Sequence, residues 1–257
     1  RDHTDCYHSD GEIRDAFLQF ACNAKERVIC ADDPHMNGFP QSVTFGNSGR
    51  YRMTNLRVKD ERYSFTVTED GIPLEKISLN VRGRVHAEDA LAAFAAARLL
   101  GISVEDIKTG LERFRGVKRR FERVGTIKGV PVVCDYAHHP REIAATFETA
   151  RAIAGGVVRV VFQPHTYTRT RDLMEEFVGV LKQAENPIVF STYAAREPFD
   201  LRGSAAMLVS RVPEASYAHT PEEVRRRLIA DGLKEGDLVL VLGAGDIYDT
   251  IKTVLDD

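Results

Sequence analysis

Two α/β parts in tandem are what this sequence of 257 residues predicts. Three observations carry the expectation. First, two β-branched apolar runs, 130–134 and 157–162, flank a segment with Ile143, Ala144, Phe147, Ala150 and Ile153 at helical spacing. Second, strand-like runs at 187–192 and 237–242 alternate with helical segments at 170–184 and 221–231. Third, apolar and polar residues alternate between 42 and 85, with turn signals at Lys59-Asp60-Glu61 and Glu69-Asp70-Gly71. The expected organisation is α/β with a β-meander over 1–115, then a doubly wound, mainly parallel domain over 116–257.

Taken in order, the chain opens on Asp2, His3, Asp5, His8 and Asp10, donors that can hold a divalent metal or simply form a solvated terminus. A helix is expected over 11–22, with Ile13, Ala16, Phe17 and Phe20 on one face, then a short strand over 27–31 ending in Asp32-Asp33-Pro34. After the meander, 87–101 reads as an Ala-rich helix with Gly101 at its C′ position. The next helix, 103–114, has Ser103 as N-cap and Asp106 completing a near capping box. The basic cluster 115–123 binds phosphate or is a solvated linker, and marks the domain boundary either way. In the central unit Pro140 suits a first helical turn and Gly155-Gly156 its end.

Composition narrows the function classes. A hydrophobic share of 43%, a charged share of 28% and a net charge of −3 describe a globular chain without a nucleic-acid footprint. Cys6, Cys22, Cys30 and Cys134 are scattered without a C-x-x-C pair, as in a cytoplasmic protein with reduced thiols. No run approaches the ~20 apolar residues of a membrane span. The start at Arg1, without Met, predicts that residues are missing upstream.

The chemistry lies where the central strands end. Asp135-Tyr136-Ala137-His138-His139 follows the first and Gln163-Pro164-His165-Thr166-Tyr167-Thr168-Arg169 the second. Strands joined through a helix run parallel, so both loops emerge at one sheet edge, where ligands bind. Arg169 can hold a carboxylate bidentately with His165 assisting, which makes a pocket for an amino acid or another carboxylic acid. Asp135 can accept from a ribose hydroxyl, or be a charge stabilised at a helix N-terminus. Gly243-Ala244-Gly245 allows close backbone approach. Tyr248 nevertheless stands where a dinucleotide fingerprint needs glycine, and Asp246 would repel phosphate, so a turn beside a nucleotide is expected. These readings reach a nucleotide- or acid-binding α/β enzyme.

The runs Asp135-Tyr136-Ala137-His138-His139-Pro140, Phe162-Gln163-Pro164-His165-Thr166-Tyr167-Thr168-Arg169 and Gly243-Ala244-Gly245-Asp246-Ile247 resemble the Mur ligases, particularly the alanine-adding members. The segments 114–122 and 193–197 fit the same group. The resemblance covers essentially the whole chain and is strongest from residue 83. It implies an ATP-dependent acid–amino-acid ligase of peptidoglycan synthesis, cytoplasmic, joining L-alanine to the carboxylate of UDP-N-acetylmuramate through an acyl phosphate. ATP and Mg²⁺ are the implied cofactors. By the same resemblance 1–115 is the C-terminal part of a truncated central ATPase-type domain, and 116–257 is a Rossmann-like amino-acid-binding domain.

Residue by residue, the resemblance implies His3 as a Mg²⁺ ligand, Arg120 on the ATP phosphates and Asp135 on the nucleotide. Tyr136, His138, His165 and Arg169 are implied for the L-alanine pocket, with Arg120 and His165 as the catalytic pair. His86 and Asp89 stand where the family has two asparagines on the adenine side. Because Asp can accept but not donate, altered ATP recognition is expected. Thr166 stands where many members have a second arginine, so a lighter carboxylate clamp is expected. The family's N-terminal UDP-binding domain, P-loop and its lysine are missing, so the polypeptide alone is expected not to turn over. Two other readings remain open: a catalytically degenerate ligase-like binding or regulatory protein, and a Mur-type ligase adding a different amino acid.

Overall fold

The computed structural model describes residues 7, 9–59 and 62–256, which form two compact units, Tyr7–Gly116 and Val117 onward. The first unit runs α1 (Asp10–Asn23), β1 (Val28–Cys30), β2 (Val43–Phe45), β3 (Tyr51–Lys59), β4 (Arg62–Glu69), β5 (Ile72–Arg82), α2 (Arg84–Leu99) and α3 (Val104–Arg113). Its five strands lie in chain order, with β1, β2 and β3 parallel and β3, β4 and β5 antiparallel. The expected meander therefore carries two parallel strands at its edge. Phe65, Val67, Ile77 and Leu79 from the sheet meet Leu91, Phe94 and Ala95 of α2 in one apolar core.

Local signals set the ends of these elements. Ser103 Oγ accepts from the Asp106 N–H (3.1 Å) and donates to the Asp106 carboxylate (2.6 Å), while Gly101, at φ +80°, follows α2 as its C′ residue. The helix α2 begins at Arg84 rather than 87, because Gly83, at φ +95°, turns the chain directly out of β5. A correction concerns α1. Phe17 and Phe20 are 59% and 74% exposed, so the apolar face expected there is not buried within the described unit. The helix turns Ala21 inward instead and is started by its Ser9 cap.

The second unit contains β6 (Glu122–Ile127), β7 (Val130–Asp135), α4 (Pro140–Ile153), β8 (Val158–Phe162), α5 (Tyr167–Asp172), α6 (Met174–Leu181) and β9 (Ile188–Phe190). It continues with α7 (Ala205–Arg211), β10 (Ser216–Ala218), α8 (Pro221–Ala230), β11 (Leu238–Leu242) and α9 (Ile247–Lys252). The strand order is β10-β9-β8-β11-β7-β6, parallel throughout except for β6 at the edge. Alternation along the strands divides the core in two. Val158, Val160, Phe162, Leu238, Leu240 and Leu242 face α4, α6 and α7, whereas Val161, Val239 and Val241 face α8 and α9. Burial on both faces explains why these strands read as mainly apolar runs, with Arg159 in β8 paired to Glu185 and Asp237. This is the expected doubly wound, mainly parallel sheet.

Three details differ from expectation. The segment 170–184 is two helices, broken at Leu173 (φ −113°, ψ 25°), instead of one. The strands β7 and β8 are parallel but not adjacent, because β11 lies between them. The elements β6, α7 and β10 also had no expectation. In register, Leu242 pairs with Asp135 on one side and Phe162 on the other, so three loops leave the sheet at one level.

Candidate active site

The strand β7 ends on Asp135, a buried carboxylate that organises the backbone above it. One oxygen accepts from the Ala137 N–H (2.8 Å) and the other from the Phe121 N–H (2.8 Å). Burial raises its pKa, and the two amide donors oppose that rise. Asp135 thus ties the loop after β7 to the segment entering β6, beneath the edge rather than on it.

That segment brings two arginines to the edge. Arg119, at φ +63°, donates to the carbonyls of Gly243 (3.3 Å) and Gly245 (2.6 Å), and its guanidinium lies 4.8 Å from the Tyr136 ring centre and 5.1 Å from that of Tyr248. It clamps the turn after β11 to the loop after β7. Arg120 is exposed, with its guanidinium 5.5 Å from the Tyr136 ring centre. One arginine holds the edge together and its neighbour presents charge to solvent, where a phosphate can be met.

Hydrogen bonding separates the roles of the histidines. His139 caps α4, with Nδ1 accepting from the Arg141 N–H (3.3 Å) and Glu142 reaching back to the His139 amide (3.2 Å). His138 Nδ1 lies 2.9 Å from the Tyr136 carbonyl, an acceptor, so this nitrogen carries the proton. His165 Nδ1 lies 3.2 Å from a nitrogen of Arg169, which can only donate, so this nitrogen is the acceptor. The rings of His138 and His165 are 5.8 Å apart, and His165 stacks on Tyr193 at 5.4 Å. Burial, the Arg169 charge and His138 together push the His165 pKa down to about 4, leaving it neutral at physiological pH.

The third loop is held by Gln163, 2% exposed at the end of β8. Its amide nitrogen donates to the Ser191 carbonyl (3.2 Å) and to Asp246 Oδ1 (2.7 Å), while its oxygen accepts from the Ile247 N–H (3.1 Å). A Cβ at Gly245 would lie 2.4 Å from the Gln163 side-chain oxygen and 2.6 Å from the Tyr193 ring, which explains glycine there. Thr168 N–H donates to Glu197 (2.8 Å), bringing the 193–197 segment onto α5.

The edge therefore gathers Arg120, Tyr136, His138, His165 and Arg169. His86 and Asp89 lie in the first unit, on the first turns of α2, with His86 Nδ1 and Asp89 Oδ2 3.6 Å apart. His3 lies outside the described residues, as do Asp2, Asp5 and His8. Among the described residues no three His, Cys, Asp or Glu side chains converge as a metal ion needs, so these residues do not by themselves fit a Mg²⁺ site. Sequence reading gave Arg119, Gln163, Tyr193 and Glu197 no role of their own. A polar Gln directly after the buried run Val160-Val161-Phe162 was the available signal for Gln163.

Comparison with known proteins bears on this site directly. A family model described as Mur ligase, glutamate ligase domain, matches residues 119–245. The UDP-N-acetylmuramate–L-alanine ligase of Gloeobacter violaceus is 37% identical over 266 residues, which are 99% of this chain and 57% of that protein. Its counterpart from Lachnospira eligens is 36% identical over 263 residues, 96% of this chain and 57% of that protein. The chain thus spans little more than half the length of these relatives. The crystal structure of a UDP-N-acetylmuramate-alanine ligase from Thermotoga maritima superposes with a TM-score of 0.76 at 26% identity, covering 98% of this chain and 56% of that one.

Proposed function

The chain belongs to the Mur ligase family, and from that premise we propose that it serves an ATP-dependent ligase joining L-alanine to the carboxylate of UDP-N-acetylmuramate. The observation that carries this reading is the pairing of Arg169 with a neutral His165 beside Tyr136 and His138 at one sheet edge. An amino acid brings a carboxylate and an ammonium. Arg169 and the His165 Nε2–H answer the carboxylate, and a histidine nitrogen lone pair answers the ammonium. In this reading the second unit binds the amino acid and the first belongs to the ATP side.

Arg120, exposed on Tyr136, meets the phosphates of ATP. Asp135 serves the nucleotide indirectly, by holding the Arg119-Arg120-Phe121 backbone through the Phe121 amide. His86 and Asp89 take the adenine side with a changed donor set, since Asp89 can only accept. Mg²⁺ would neutralise charge on the transferring phosphoryl group, and His3 is the ligand that the resemblance names. The nucleotide-linked substrates favour a cytoplasmic setting, and a UDP-binding domain is the further partner that the family pattern leads us to expect. The chain that accepts the activated carboxylate is thus read as part of peptidoglycan precursor synthesis.

The test is ADP release by the full-length protein with ATP, Mg²⁺ and UDP-N-acetylmuramate, across a panel of small amino acids. Release that depends on both the muramate and L-alanine supports the reading. Release with another amino acid alone supports a different Mur-type specificity, and no release with any amino acid indicates a binding protein on a ligase scaffold.

A further inference from the structure

Resting on the ligase reading above, we infer that His138, and not His165, is the base that takes the proton from the incoming amine. The two imidazoles, 5.8 Å apart, are held in opposite tautomers by their neighbours. His165 offers its lone pair at Nδ1 to Arg169, which leaves Nε2 as an N–H donor and no free lone pair in the ring. His138 gives its Nδ1 proton to the Tyr136 carbonyl, which leaves the lone pair on Nε2, and that nitrogen has no hydrogen-bond partner among the described residues. A base needs a lone pair that nothing else occupies, and of these two imidazoles it is His138 that has one.

The surroundings reinforce the difference. The His138 Nδ1–H faces the Tyr136 carbonyl (2.9 Å) and the Glu142 carboxylate, whose Oε2 is 3.5 Å from Nδ1, so two acceptors hold this tautomer in place. His165 faces Arg169 on α5, His138 across the edge and Arg119 before β6, three groups that oppose a positive charge, with Glu197 alone favouring one. The charged and titratable groups bearing on His138 are Glu142 on α4, Tyr136 on its own loop and His165 from the loop after β8.

In the amide-forming step the ammonium gives its first proton to His138 Nε2. The freed nitrogen pair attacks the acyl-phosphate carbon, forming the C–N bond as the C–O bond to phosphate breaks. The second nitrogen proton leaves with the phosphate, and His138 returns its proton to solvent. His165 and Arg169 hold the carboxylate throughout and exchange no proton.

Hydroxylamine separates these roles, because it is uncharged at neutral pH and captures an acyl phosphate without a base. In the full-length protein, His138→Asn keeps an amide donor at the Nδ1 position, toward the Tyr136 carbonyl, but removes the base. It should lower kcat with L-alanine by on the order of 10²- to 10⁴-fold, a larger effect than any rise in alanine KM, and regain rate as pH rises and free amine becomes available. Its hydroxamate formation should remain near the unmodified rate. His165→Asn, which can still accept from Arg169 but loses the Nε2–H donor, should instead raise the alanine KM. Unchanged kcat in His138→Asn overturns the inference, as does a hydroxylamine-rescued loss in His165→Asn. No hydroxamate from the unmodified protein removes the ligase reading itself, and the inference with it. The ¹⁵N shifts of the two rings give a readout independent of folding of the variants: Nδ1–H at His138 and Nε2–H at His165 are expected, and the reverse pair overturns the assignment.

Discussion

His165 shows how a single side chain links site chemistry to stability. Its folded pKa, about 4, lies below the ordinary 6.5, chiefly through burial and then through Arg169. Between these values the unfolded chain binds more protons than the folded one, so stability rises with pH across the window and is lost as pH falls from 6.5 to 4. A His165→Gln variant should flatten that part of the pH–stability curve, as followed by urea unfolding at a series of pH values. An unchanged curve would mean that His165 is not held neutral. The strand-end placement of Tyr136, His138, His165 and Arg169 was legible because parallel strands send successive loops to one edge. Arg119 was not, because its partner carbonyl, Gly245, lies 126 residues away and no local pattern reports such a contact. Asp135 was legible as a strand-end acid, but its engagement with the Phe121 amide depends on the path of the chain into β6.

Among the elements, those with strong local signals are the ones the sequence reveals. The helix α3 begins at Ser103 because its hydroxyl satisfies the Asp106 amide. Ser103→Ala should therefore destabilise the first unit by about 1 kcal/mol, measured as a shift in its denaturation midpoint without a change in slope. No shift would mean that the cap is dispensable. The strands β7, β8 and β11 were legible because burial on both faces demands mainly apolar runs, with Arg159 as a buried charge within β8. The three-residue β10 is too short to show a period, and β6 pairs with only one neighbour, so its alternation is weaker. The break between α5 and α6 was hidden because Leu173 is itself a good helix former, and the local fold overrides its propensity. The exposed Phe17 and Phe20 show that periodicity identifies an apolar face without showing what covers it.

At the scale of the whole molecule, the two units carry separate apolar cores, one in the first sheet and two on the faces of the second. A polypeptide of residues 117–256 should therefore fold alone and unfold cooperatively, as seen by far-UV circular dichroism in urea. A non-cooperative transition would show that its core is incomplete without the first unit. The central claim is that the edge of this second sheet holds the amino acid for a Mur-type ligase. The most direct measurement is the KM for L-alanine in full-length protein with Arg169→Ala, read beside the KM for ATP. A KM for L-alanine raised by at least about tenfold, equivalent to about 1.4 kcal/mol of lost binding, with the ATP value little changed, is the result expected. An unchanged alanine KM would contradict the assignment of this edge.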